Sequence, residues 1–156
     1  MPINAVNAAK PSEAILLPFR GGCACAAIRY ECATKPVAML NCHCRDCQRA
    51  SGGAYSSVLV VPAAAVKFSG AVPRGFTVVA ENGTHSTRSF CSNCGSPIFA
   101  TNDAAPQFLA IKPATLDDPS WFSPQVDIWT GDAHSWDYMN PILPKFAKFP
   151  PLPPCS

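Results

Sequence analysis

Apolar and polar residues alternate along this chain with a period of two in several short runs. Ile28, Tyr30 and Cys32 alternate with Ala27, Arg29 and Glu31, the pattern of a strand with one buried face. Residues 55–61 form a β-branched, apolar run that Pro62 ends. Residues 75–79, 84–90, 97–101, 108–112 and 126–130 have similar length and character. Glycine and proline punctuate the intervals, and the longest segment free of both is Val37–Ser51. Long helices have little room between such breaks. Short helical turns are expected only at 46–50 and 63–65. Many short strands separated by turn signals predict a mainly β fold, a complex sandwich or partly open barrel.

The ends differ from the middle. Residues 1–19 read as a loosely held leader, 20–140 as the folded domain, and 141–156 as a tail. In the tail, six of the fourteen residues from Pro141 to Pro154 are proline. Such a segment runs extended over the surface or stays disordered; an SH3-type ligand is the other reading of its prolines.

Composition narrows the function classes. The 156 residues carry a formal charge of +2 with no basic stripe, which gives no electrostatic case for nucleic acid or a membrane surface. No stretch approaches the ~20 apolar residues of a spanning helix. The amino-terminal residues lack the charged start and apolar block of a signal peptide. A cytoplasmic setting is therefore expected, where thiols stay reduced and clustered cysteines mark metal or redox chemistry.

Seven of the nine cysteines fall in three clusters: Cys23-Ala-Cys25, Cys42-His-Cys44-Arg-Asp-Cys47 and Cys91-Ser-Asn-Cys94-Gly95. A C-x-x-C turn lets two thiolates converge on one ion at about 2.3 Å, and Gly95 suits the backbone of such a turn. A closed structural zinc takes four ligands, whereas an open one keeps three. The simplest partition of seven joins Cys23 and Cys25 with Cys91 and Cys94, leaving Cys42, Cys44 and Cys47 as a three-thiolate site. A single zinc using two of the middle three with Cys91 and Cys94 is the competing scheme. Disulfides and a thioredoxin-like pair are further readings, the second opposed by the lack of a βαβ pattern. Cys32 lies on the apolar face of its strand and reads as a core residue, and Cys155 as an incidental thiol.

The clusters and their neighbours, Gly22-Cys23-Ala24-Cys25, Cys42 through Gly52, and Phe90-Cys91-Ser92-Asn93-Cys94-Gly95-Ser96-Pro97, together resemble the glutathione-dependent formaldehyde-activating family. Thr115 through Pro119, Ile128-Trp129 and Trp136 add to the likeness, which covers residues 20–137. The resemblance implies a β fold like that of the zinc-binding methionine-R-sulfoxide reductases. It implies two zincs per chain: Cys23, Cys25, Cys91 and Cys94 as structural ligands, and Cys42, Cys44 and Cys47 as catalytic ones. It implies glutathione and formaldehyde as substrates and S-(hydroxymethyl)glutathione as product, a carbon–sulfur lyase type of chemistry. One departure stands out, because family members often carry glycine where this chain has Ala26, which predicts a somewhat different turn.

Other side chains have two readings each. Arg45 and Arg49 flank the trio and either engage carboxylates of glutathione or are solvated charges. Ser51 and Gly52 either present hydrogen-bond donors to a carboxylate or form a plain loop. His43 is expected to pack or to orient the site rather than ligate. His85 and His134 have no visible partner, Asp117 and Asp118 shape a turn before Pro119, and Trp129 and Trp136 either wall a pocket or pack. The alternatives to an enzyme are a non-catalytic zinc module that binds a thiol or a protein, and a chromatin or cytoskeletal factor. The absence of basic tails argues against the last.

Overall fold

A computed structural model of the chain describes residues 15–150. Most of the expected leader, the last six residues and Cys155 lie outside it. The fold is mainly β, as the alternation predicts, and its sheets do not close into a barrel.

Three strands form the smaller sheet: β1 (Phe19–Gly22), β2 (Ile28–Cys32) and β5 (Val66–Gly70), in the order β1-β2-β5 and antiparallel throughout. The larger sheet contains β3 (Ala38–Cys42), β4 (Ser56–Pro62), β6 (Arg74–Val79), β7 (His85–Phe90), β8 (Pro97–Asn102), β9 (Phe108–Ile111), β10 (Asp127–Ile128) and β11 (Lys145–Phe146). Its order is β11-β10-β3-β4-β9-β8-β7-β6. One short helix, α1 (Arg45–Ser51), follows β3, and a single 3₁₀ turn covers Ala63–Ala65, both where helical turns are expected. Two further 3₁₀ turns, Pro113–Thr115 and Thr130–Asp132, are additional to that expectation.

Period two decides which residues meet. In β2, Ile28, Tyr30 and Cys32 are buried, and in β4 Leu59 and Val61 point into the same core. Ile98 of β8 and Ile111 of β9 complete its centre. Gly21 lets β1 approach the 112–116 segment: a Cβ there would lie 2.4 Å from the Thr115 carbonyl oxygen. The opposite faces of β3, β4, β7, β8 and β9 point away from this core and line a cleft.

Residues 141–150 lie along the larger sheet. The strand β11 pairs in parallel with β10, and Asp127 N–H donates to the Pro144 carbonyl. Farther on, Trp129 N–H and Gly131 N–H donate to the carbonyls of Lys148 and Ala147. The donors that β10 and the following turn would leave exposed are thereby satisfied.

Candidate metal centres and cleft

Two groups of cysteines come together among the described residues. Cys23 and Cys25 lie in the turn between β1 and β2, and Cys91 and Cys94 in the turn between β7 and β8. Their four Sγ atoms lie within 4.8 Å of one another. Cys23 Sγ is 3.6 Å from Cys25 Sγ, which is 3.8 Å from Cys91 Sγ. A tetrahedron with 2.3 Å arms has edges of about 3.8 Å, so the donor set fits a four-thiolate metal such as zinc. Backbone geometry enforces the convergence: Gly95 takes φ 76° and donates to the Cys91 carbonyl at 2.8 Å. Ile28 N–H donates to Cys23 Sγ at 3.2 Å, and Ala24 N–H to Ser96 Oγ at 3.1 Å. The Ser96 hydroxyl and backbone together hold the Cys94 thiol down to about 5.

Ala26 adopts φ 61°, the left-handed region that glycine enters freely. The turn thus holds alanine in a conformation suited to glycine.

The second group is Cys42, Cys44 and Cys47, whose Sγ atoms also lie within 4.8 Å of one another. Cys42 ends β3, Cys44 caps α1 by accepting the Cys47 N–H at 3.4 Å, and Cys47 sits in the first turn of that helix. The three thiols share charge unequally. Hydrogen bonds from Cys42 and Cys47 pull Cys44 down to about 2, while facing Cys44 and Cys47 in a buried setting pushes Cys42 up. Crowded sulfurs thus carry one negative charge comfortably and further ones only against repulsion, which a divalent cation among them would relieve. The trio fits zinc on that chemistry. Among the described residues no fourth cysteine, histidine or carboxylate joins it.

His43 lies between two of these cysteines and is fully buried. Its Nδ1 is 2.5 Å from Asp137 Oδ2, and its Nε2 is 3.1 Å from Asp127 Oδ1. Both ring nitrogens are thus held by carboxyl groups from residues far along the chain. Asn41 Nδ2 adds a bond to Asp127 Oδ1, and Tyr55 packs against the imidazole at 5.0 Å between ring centres. Gln48, buried in α1, donates to the carbonyls of His43 at 2.6 Å and Asp132 at 3.1 Å. Its Oε1 accepts from Arg45 and from His134 Nε2. His134 is therefore no bystander: it helps fasten residues 130–137 to the knuckle, with Trp136 stacked on it. His85 bonds Asp103 at the surface, away from the trio. Asp118 does shape a turn, accepting from Ser120 N–H, and Asp117 pairs with Arg29.

The trio borders a cleft of about 460 Å³. Alternate residues of the larger sheet make its floor: Leu40 and Cys42 from β3, Val58 and Val60 from β4, Phe108 and Ala110 on β9. Trp129 and Phe149 line it too, their rings meeting edge to face at 6.4 Å. Arg45 lies at the cleft but donates to Gln48 Oε1. Arg49 is exposed beside Asp46 at 3.8 Å, and Ser51 and Gly52 cap the carboxyl end of α1; none of these three lines the cleft. Trp136 is exposed and does not line it either. Arg88 and Lys112, which sequence reasoning passed over, do. Their signal was the same alternation, since Arg88 lies two and four residues beyond Ser86 and Thr84, and Lys112 two and four beyond Ala110 and Phe108.

The β fold carries one self-contained cysteine cluster and one that opens on a cleft, each able to hold a metal ion. The chain belongs to the glutathione-dependent formaldehyde-activating enzyme family, whose description matches residues 18–132. A crystal structure of a Rhodobacter sphaeroides protein, solved in structural genomics, is similar in fold at 16% identity and a TM-score of 0.50, over 64% of this chain and 88% of that one. No helix of the described residues is long and apolar enough to cross a membrane.

Proposed function

We propose that this chain joins the thiol of glutathione to formaldehyde, giving S-(hydroxymethyl)glutathione, as a zinc-dependent enzyme of carbon–sulfur lyase type. Its partners are then small molecules, and its setting is the cytoplasm, where both thiol and cysteines stay reduced. The observation that carries this reading is the sulfur trio at one wall of the cleft, with no fourth ligand from the described residues.

Zinc, held by Cys42, Cys44 and Cys47, would supply a soft acid that takes a substrate thiol as its thiolate at neutral pH. The residues of the chain do the rest. The end of β3 and the first turn of α1 fix the three sulfurs, and the His43–Asp127–Asp137 arrangement fixes the backbone between them. The apolar floor strips water from the reacting sulfur. The sulfur adds to the carbonyl carbon, the π pair moves to oxygen, and that oxygen takes a proton from water at the open side of the cleft. The four-cysteine cluster takes no part in this step and serves the fold.

The union of glutathione and formaldehyde also proceeds unaided, so the test is acceleration. Exchange NMR on equilibrated glutathione and formaldehyde should show faster interconversion with zinc-loaded protein, and no acceleration with Cys44→Ser. Equal rates with and without the wild-type protein would sink the enzymatic reading.

A further inference from the structure

Three cations line the cleft without a carboxylate of their own, Arg45, Lys112 and Arg88. Lys112, at the end of β9, is only 7% exposed, and its Nζ donates to Ser56 Oγ at 2.5 Å, which uses one of three donors. Arg88, half-buried in β7, reaches the same cleft across β8. Ion pairs between arginine or lysine and carboxylates among the described residues use Arg20, Arg29, Arg49, Lys145 and Lys148 instead. Of the acids at the cleft, Asp46 faces Arg49, Glu81 is held by Lys148 at 2.7 Å, and Asp132 is exposed.

A buried ammonium without a counter-charge is costly, so a site that keeps one has a use for it. Among the described residues Lys112 Nζ bonds only to Ser56, and Arg88 makes no side-chain hydrogen bond or ion pair, so both keep donors free for an anionic group of a ligand besides its sulfur. Arg45 and Arg49, the arginines nearest the trio in sequence, are placed otherwise: one is committed to Gln48, the other is exposed beside Asp46.

We propose that Lys112 and Arg88 form a carboxylate subsite, so that the cleft selects thiols bearing a carboxylate a few bonds from the sulfur over neutral thiols of equal size. This rests on the reading of the trio as a thiol-binding centre. The geometry sets the two halves of the ligand side by side: sulfur on Cys42, Cys44 and Cys47, carboxylate on the ammonium and guanidinium. Charge-assisted bonds of this kind are the strong ones, and the guanidinium offers two parallel donors.

Calorimetric titration of the zinc-loaded full chain with three probes tests it: 3-mercaptopropionate, its neutral amide, and the S-methyl ether of the acid. The acid should bind at least about tenfold tighter than the amide. In Lys112→Met that ratio should fall to near one while the affinity for the amide stays unchanged, with zinc content and circular dichroism as in the wild type. Arg88→Met, at a half-exposed position, should lower the ratio too, and it carries the test alone should Lys112→Met not fold. Equal binding of acid and amide by the wild type overturns the subsite, as does a ratio that persists in the folded variants. The thioether separates the two readings. If it binds as well as the acid, the thiol-binding role of the trio fails although the carboxylate subsite stands.

Discussion

The two cysteine clusters use the same ligand atom and are built in opposite ways. The four-cysteine cluster draws on two turns 66 residues apart and ties the β1–β2 hairpin to the β7–β8 hairpin. The trio comes from six consecutive residues of one knuckle and ties nothing distant by its sulfurs alone. What fastens the trio to the rest of the chain is a polar clamp, with His43 and Gln48 on one side and Asp127, Asp132 and Asp137 on the other. A metal that closes a long loop contributes to folding, whereas one held within a single turn can be lost with the fold intact. The difference teaches that what a metal would fasten depends on where the sulfurs sit in the chain, not only on how many there are.

The sharpest way to break the contrast is one serine in each cluster. Cys91→Ser should remove one zinc per chain and with it most of the stability, since structural zinc is worth roughly 10–16 kcal/mol in small domains. Expression as insoluble protein, or a melting transition without cooperativity, is the expected readout. Cys44→Ser should remove the other zinc and all acceleration of the glutathione–formaldehyde reaction, yet shift the melting temperature by only a few degrees, as for a loss of about 1 kcal/mol. Two variants that behave alike would erase the distinction.

Smaller in effect is the clamp. Asp137→Ala removes a carboxyl group from a fully buried imidazole and leaves its Nδ1 without a partner. Leaving a buried polar group unsatisfied costs about 1–3 kcal/mol. Because the clamp grips the knuckle and not the hairpins, the trio should release its zinc to a chelator about 10–100-fold more readily, the usual size of a loss around a metal ligand. The four-cysteine cluster should hold its own unchanged. Equal loosening of both metals would show that the clamp acts on the whole fold.

How much of this was legible beforehand follows from the same distinction between local and distant. Seven strands announce themselves as short apolar or alternating runs, and in six of them one face packs on Ile28, Leu59, Ile98 or their neighbours, or lines the cleft, whereas β6 is mostly exposed and held by its pairing with β7. The strands β1, β3, β5 and β11 do not. The first is four residues with two glycines, β3 runs into the cysteine knuckle, and β5 is largely exposed and held by its pairing with β2. The two residues of β11 become a strand only because β10 lies beside them. The sulfurs are legible because metal ligands must be close in the chain or follow turn spacing. Alternation sets the face of Arg88 and of Lys112, but that two charges 24 positions apart line one cleft follows from the order β9-β8-β7, which no local pattern encodes. Asp127 and Asp137 are silent for the same reason.

Ala26 allows the finest adjustment of the comparison, within the four-cysteine cluster alone. Its N–H donates to the Cys23 carbonyl at 3.0 Å, closing the turn that carries Cys23 and Cys25, and the residue itself takes φ 61° on the way into β2. For a residue with a Cβ that region costs about 1–2 kcal/mol, and glycine pays part of this back through greater freedom in the unfolded chain. Ala26→Gly should therefore raise stability by about 1 kcal/mol, read as a higher midpoint in urea with an unchanged slope. The trio, the clamp and the cleft are built from other turns, so thiol affinity and reaction rate should stay as they are. A glycine that destabilised the protein would show that the alanine methyl does something in this turn besides strain it.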